Sequence, residues 1–234
     1  MPGSGSAAGA TIPRMECAAV REFTGVHNMI RGLIDLSDSA MVAARPDNVA
    51  QMRTLAGLGM FGVAGTRFHH QVEDKYYWPA VIANGADPTV LDPLVREHGE
   101  IDPLLDEMEL AAGQLQANPR DAGSFEDLRT RFAEFKQHIL GHLDNEEPLF
   151  FPLLTAHLSD PEAERLAAEV AKVAPRKGIS WLMGGVEYAM TKDEASQFLG
   201  SFPKPVVWLR PVFLRTYRKN CGVLGVDPAT PART

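Results

Sequence analysis

The chain is poor in cysteine and has no long apolar run, and each absence removes a class of protein. Only Cys17 and Cys221 occur among 234 residues. They lie far apart, so they make neither a disulfide framework nor a cysteine-based zinc cluster. No apolar stretch approaches the ~20 residues that a helical membrane span needs. Positive charge is in deficit: 23 Lys and Arg face 30 Asp and Glu, a net charge of −7. That balance argues against nucleic acid or an anionic membrane as the general partner. Sustained period-two alternation is missing too, which leaves little room for a half-buried sheet. The opening residues Pro2-Gly3-Ser4-Gly5-Ser6 have neither the basic nor the apolar region of a secretory leader. The expectation is a cytoplasmic protein with reduced cysteines and a flexible tail over residues 1–14.

What is present is helical periodicity. From Cys17 to Ala44, Val20, Phe23, Val26, His27, Ile30, Leu33, Ile34 and Met41 fall on one apolar face. Asn48 is a good N-cap for a second helix reaching Asn84, in which Gly57, Gly59, Gly62 and Gly65 predict a weak middle. Asp87-Pro88 opens a third helix to about Leu115, with a kink expected at Pro103. Ser124-x-x-Asp127 resembles a capping box and is expected to open the fourth. The fold class is therefore all-α: an up-down four-helix bundle over residues 15–157 and a C-terminal helical extension over 158–234. Within the extension, helix starts are expected at Ser159 and Thr191.

Two stretches of the bundle repeat one motif. His69-His70-Gln71-Val72-Glu73 runs through Tyr76-Tyr77-Trp78 to Pro79, and His142-Leu143-Asp144-Asn145-Glu146 through Leu149-Phe150-Phe151 to Pro152. Both fit His-x3-Glu-x5-Pro, a pattern that composition alone would produce about 0.07 times. Residues i and i+4 of a helix share a face, so each copy offers an imidazole beside a carboxylate. The other two helices echo each other as well: His27-x2-Ile30-x2-Leu33-Ile34 and His98-x2-Ile101-x2-Leu104-Leu105. A pair of matching hairpins would bring all four helices' ligands to one level of the core.

Four imidazoles (His27, His69, His98, His142) and two carboxylates (Glu73, Glu146) form a balanced set for two metal ions. Imidazole with carboxylate suits iron or manganese, whereas structural zinc favours cysteine and closed four-coordination. Helical bundles hold two metals with inward-facing ligands of this kind. A lone His on an apolar face is more often a hydrogen-bonded core residue than a ligand. The repetition and the cost of burying two unpaired Glu side chains favour the metal. By helix geometry His70 is turned about 100° from His69, which suggests a supporting or surface role. His138 shares the face of His142 and is either a donor behind the site or a core residue. The two aromatic runs are expected to fill the end of the bundle.

These residues resemble the hemerythrin-type HHE cation-binding domain over about residues 15–157. The resemblance rests on His27, on His69-His70-x-x-Glu73 ending at Pro79, on Glu97-His98-x-x-Ile101, and on His142-x3-Glu146-Glu147 ending at Pro152. It implies a non-haem di-iron centre bridged by the two carboxylates. Two departures stand out. The oxygen carriers of that family use five histidines, with a His-x3-His pair on the third helix, where this chain has Asp102 four residues after His98. They also place the last carboxylate five residues after its histidine, a position held here by Glu147. The resemblance thus implies chemistry with a small oxidant (peroxide, dioxygen or nitric oxide), including peroxide decomposition, rather than simple oxygen carriage. The alternative is a metal or redox sensor whose basic, aromatic C-terminal segment, Trp208 to Lys219, docks a protein partner.

Overall fold

The computed structural model describes residues 17–175 and 177–229; the tail expected over 1–14 lies outside them. Among the described residues every regular element is helical. The bundle consists of α1 (Ala18–Val42), α2 (Val49–Val72) continued by a π-helical turn (Glu73–Tyr77) into α3 (Trp78–Ala83), α4 (Asp92–Ala117) and α5 (Ala122–His157). Each packs on its neighbours in sequence, and α5 closes back on α1.

Two apolar clusters fix the directions of these helices. One joins the start of α1 (Val20, Phe23) to the end of the second helix (Tyr77, Trp78, Val81), the start of α4 (Leu94) and the end of α5 (Phe150, Leu154). The other joins the opposite halves, including Ile34, Leu55, Leu105 and Leu128. Neighbouring helices therefore run antiparallel, as short connections require. A polar layer lies between the clusters. His27 falls between Phe23 and Ile30, His98 between Leu94 and Ile101, and His142 beside Ile139.

Several local expectations change. The glycines of α2 do not break it; the helix is continuous from Val49 to Val72, and its irregular turn begins at Glu73. There the Trp78 N–H reaches back five residues to the Glu73 carbonyl. Such π-turns insert an extra residue and gather at functional positions. Asp121, not Ser124, caps α5: its carboxylate accepts from the N–H groups of Gly123 and Ser124 and from the Ser124 hydroxyl. The Asp121 charge also faces the positive end of the helix dipole. The α4 helix continues through Pro103, an exposed position, after a single 3-10 turn (Pro88–Leu91) capped by Asp87.

The remaining elements wrap α1 and the bundle end: α6 (Asp160–Val173), α7 (Ile179–Ala189), α8 (Lys192–Gly200), α9 (Lys204–Trp208) and α10 (Arg210–Leu224). Both expected capping boxes form, Ser159 with Glu162 and Thr191 with Glu194. The α7 helix approaches α1 closely; a Cβ on Gly185 would come 2.5 Å from Met29 and one on Gly32 would come 2.7 Å from Ala189. Polar ties add to this. The Ala18 N–H donates to Asp160, and the Gln197 amide donates to the Ala18 carbonyl. The extension thus supports the helix that carries His27. No described helix is long and apolar enough to cross a membrane.

Candidate metal centre

The polar layer gathers all six residues singled out by the repeats, and a seventh. His27, His69, Glu73 and Glu146 form one group and His70, His98 and His142 another, the donor atoms of each group lying within 4.8 Å of one another. All seven are buried. The carboxylates connect the groups. Oε1 of Glu73 lies 3.2 Å from Nε2 of His69, and Oε2 lies 3.3 Å from Nε2 of His98. Oε2 of Glu146 is 3.4 Å from Nε2 of His27, 3.7 Å from that of His69 and 3.5 Å from that of His142.

Despite this crowding, the inward atoms have no hydrogen bonds. Nε2 of His27, His69, His98 and His142, both ring nitrogens of His70, and all four oxygens of Glu73 and Glu146 are buried without a partner. Unsatisfied buried polar atoms each cost about 1–3 kcal/mol, and more when charged. Ten of them converging on one layer fit a set of metal donors, which is the test the residues must pass to hold cations.

Three of the outward nitrogens are held by acids of a neighbouring helix. Nδ1 of His98 lies 3.2 Å from Asp74, Nδ1 of His142 2.8 Å from Glu97, and Nδ1 of His27 3.0 Å from Glu147. Asp74, Glu97 and Glu147 each adjoin an inward residue of their own helix (Glu73, His98 and Glu146) and orient a histidine of the next. Arg31 donates to Glu147 and Asp144, and Asn145 to Glu97, so the acids are fixed in turn. A carboxylate behind an imidazole sets its tautomer and leaves Nε2 as the inward lone pair.

Electrostatics suit ligation. Burial lowers His69 to about 4 and His70 well below the usual histidine range. Burial also lowers His142, against the pull of Glu146 and Glu97. These rings are neutral at pH 7, the form that binds metal. Burial would lower His27 too, but Glu146 and Glu147 outweigh it and raise the ring. Burial and the neighbouring Glu146 charge raise Glu73. Glu146 is depressed because His27 and His69 overcome the upward push of its own burial.

Other expectations are corrected. His70 lies within the inward set, not at the surface, stacked on His98. His138 is exposed, with Nδ1 3.0 Å from the Glu134 carbonyl, and has no place behind the site. Asp102 is exposed and lies outside both groups, whereas α2 brings a fifth imidazole, His70, into the layer. Glu147 supports His27 from behind rather than joining the inward set. The aromatic runs do fill the bundle end, but Trp78 also stacks on His98 at 4.7 Å and Phe151 lies 5.5 Å from the His27 ring. They wall the centre as well.

A helical bundle with histidines and carboxylates converging from all four helices defines a metal-binding class. The family described as the hemerythrin HHE cation binding domain matches residues 18–154, and the chain belongs to it. No curated protein and no solved structure matches the chain.

Proposed function

We propose that the chain is a non-haem di-iron protein that binds or reacts with a small oxidant such as peroxide, dioxygen or nitric oxide. The observation that carries this reading is the placement of Glu73 and Glu146, each facing imidazoles of both groups. His27 and His69 would hold one ion, His70, His98 and His142 the other, with the two carboxylates between them. When bound, the pair of ions supplies one-electron redox steps and open positions for an oxidant. The chain keeps His69, His70 and His142 neutral, orients His27, His98 and His142 from behind, and covers one end of the centre with Phe23, Trp78 and Phe151. Donors of nitrogen and oxygen suit iron, with manganese the weaker fit to a set this rich in imidazole.

Purified protein should contain two iron ions per chain and show near-ultraviolet bands of bridged ferric iron. Metal-free protein, or zinc alone after iron-replete expression, overturns the reading. A second reading, a redox sensor that signals through the extension to a protein partner, draws support from α1. That helix carries His27 towards the centre and packs its other side on α7 and α8. Deleting residues 175–234 separates the two: loss of a partner with metal retained favours the sensor, whereas loss of solubility favours a covering role.

A further inference from the structure

An apolar cavity of about 130 Å³ lies beside the polar layer. Val26, Ile30, Gly62, Gly65 and Thr66 line it between α1 and α2, and none of the seven inward residues does. Val26 and Ile30 bracket His27 in sequence, and Gly65 and Thr66 stand about one helical turn before His69. These are the two histidines of the nitrogen-poor group. The extension closes the far wall with Pro175, Leu182, Phe198 and Phe202.

The sequence holds this space open. A Cβ on Gly62 or Gly65 would meet nothing within 4 Å, and neither residue has a positive φ. Neither close packing nor backbone geometry requires glycine there, although each costs about 1 kcal/mol against alanine inside a helix. The effect of the two glycines is to withhold side-chain volume from the cavity wall. The Ser37 hydroxyl, also in the lining, donates to the Leu33 carbonyl of its own helix at 2.8 Å. A visitor thus meets a nearly hydrocarbon surface. An enclosed apolar cavity of similar size accepts benzene, and this partly open one offers the same lining and room.

We propose that the cavity seats the apolar group of an uncharged organic hydroperoxide, a compact alkyl or phenyl group, and so presents its –OOH to the His27/His69 half of the centre. This rests on the oxidant reading above. With two ferrous ions bound, the centre would supply the two electrons that break the O–O bond once, and the hydroperoxide with one water would leave as an alcohol and two hydroxide ions. Hydrogen peroxide has no group to place in the cavity.

Two measurements on the metal-loaded full chain test this. Calorimetry should detect benzene binding, and Gly62→Leu, which fills the space, should abolish it. In stopped-flow oxidation of the reduced protein, the rate-constant ratio of tert-butyl hydroperoxide to hydrogen peroxide should fall about tenfold in Gly62→Leu, the scale of losing a few apolar contacts. Circular dichroism establishes folding, and Gly65→Leu replaces Gly62→Leu if the latter does not fold. An absent benzene signal, or an unchanged ratio while both peroxides react, overturns the proposal. If neither peroxide oxidises the protein but benzene still binds, the oxidant reading has failed, and the hydroperoxide with it.

Discussion

His70 lies face to face on His98, their ring centroids 3.9 Å apart and their planes 13° from parallel. Both ring nitrogens of His70 are buried and unpaired. A core histidine without a hydrogen bond is costly, so the metal reading gives it a role as the third imidazole of its group. His70→Ala should lower metal affinity by at least about tenfold, the smallest loss typical even for a residue behind a ligand. Elemental analysis after dialysis against a weak chelator would measure it. His138→Ala, at an exposed position, should match wild type. Equal metal content in the two variants would reduce His70 to a packing ring.

Glu97 acts through His142 rather than on the metal. It holds Nδ1 of His142 from 2.8 Å while Asn145 donates to its other oxygen. Glu97→Gln keeps the shape and removes the charge that makes the imidazole a stronger donor. Metal affinity should fall about 10- to 100-fold with little change in the circular dichroism spectrum. Titration with ferrous iron under anaerobic conditions reads this directly. An unchanged affinity would mean that these acids form only a surface ion network.

Much of this centre was legible because a carboxylate one turn from a histidine declares itself twice in the sequence. The fifth imidazole was not, for a geometric reason. The α2 helix stands between α1 and α4 in the ring of helices. Residues about 100° apart on it can therefore both point inward, each towards a different neighbour. His69 joins His27 of α1, and His70 joins His98 of α4. The doubled His-His was the available signal. The Ser124-x-x-Asp127 pattern mimics a capping box and masks the actual cap, Asp121, three residues before it. The acids at Asp74, Glu97 and Glu147 adjoin inward residues in sequence, but their partners lie on other helices, which spacing alone does not reveal.

Glu22 predicts a pH dependence. Its carboxylate accepts from the Tyr77 hydroxyl at 3.3 Å, and burial raises it to about 7 in spite of that bond. A raised folded-state pKa means that the native protein binds a proton the unfolded chain has released. Its stabilising effect is full below the ordinary glutamate value of 4.5 and is lost as pH rises to about 7. Glu22→Gln removes the titration while keeping an acceptor for Tyr77. Relative to wild type, it should gain about 2–3 kcal/mol between pH 4.5 and pH 8, on the order of the shift converted to free energy. Urea unfolding across that range checks the slope. A constant difference between the two proteins would show that Glu22 does not titrate there.

Two glycines in helices should respond in opposite directions to the same added methyl. A Cβ on Gly62 of α2 meets nothing within 4 Å, whereas one on Gly184 of α7 would stand 2.2 Å from the Tyr217 ring. Gly62→Ala gains helix propensity and should stabilise by about 1 kcal/mol. Gly184→Ala gains the same propensity but must push aside a buried ring. That ring packs edge-on against Trp181 and bonds through its hydroxyl to the Pro228 carbonyl. Overpacking of this kind costs about 1–3 kcal/mol, so the net change should be destabilising. Chemical denaturation of both variants gives the comparison. If Gly184→Ala were as stable as Gly62→Ala, the contact of α7 with α10 would have to be loose, and the extension could not brace the helix that carries His27.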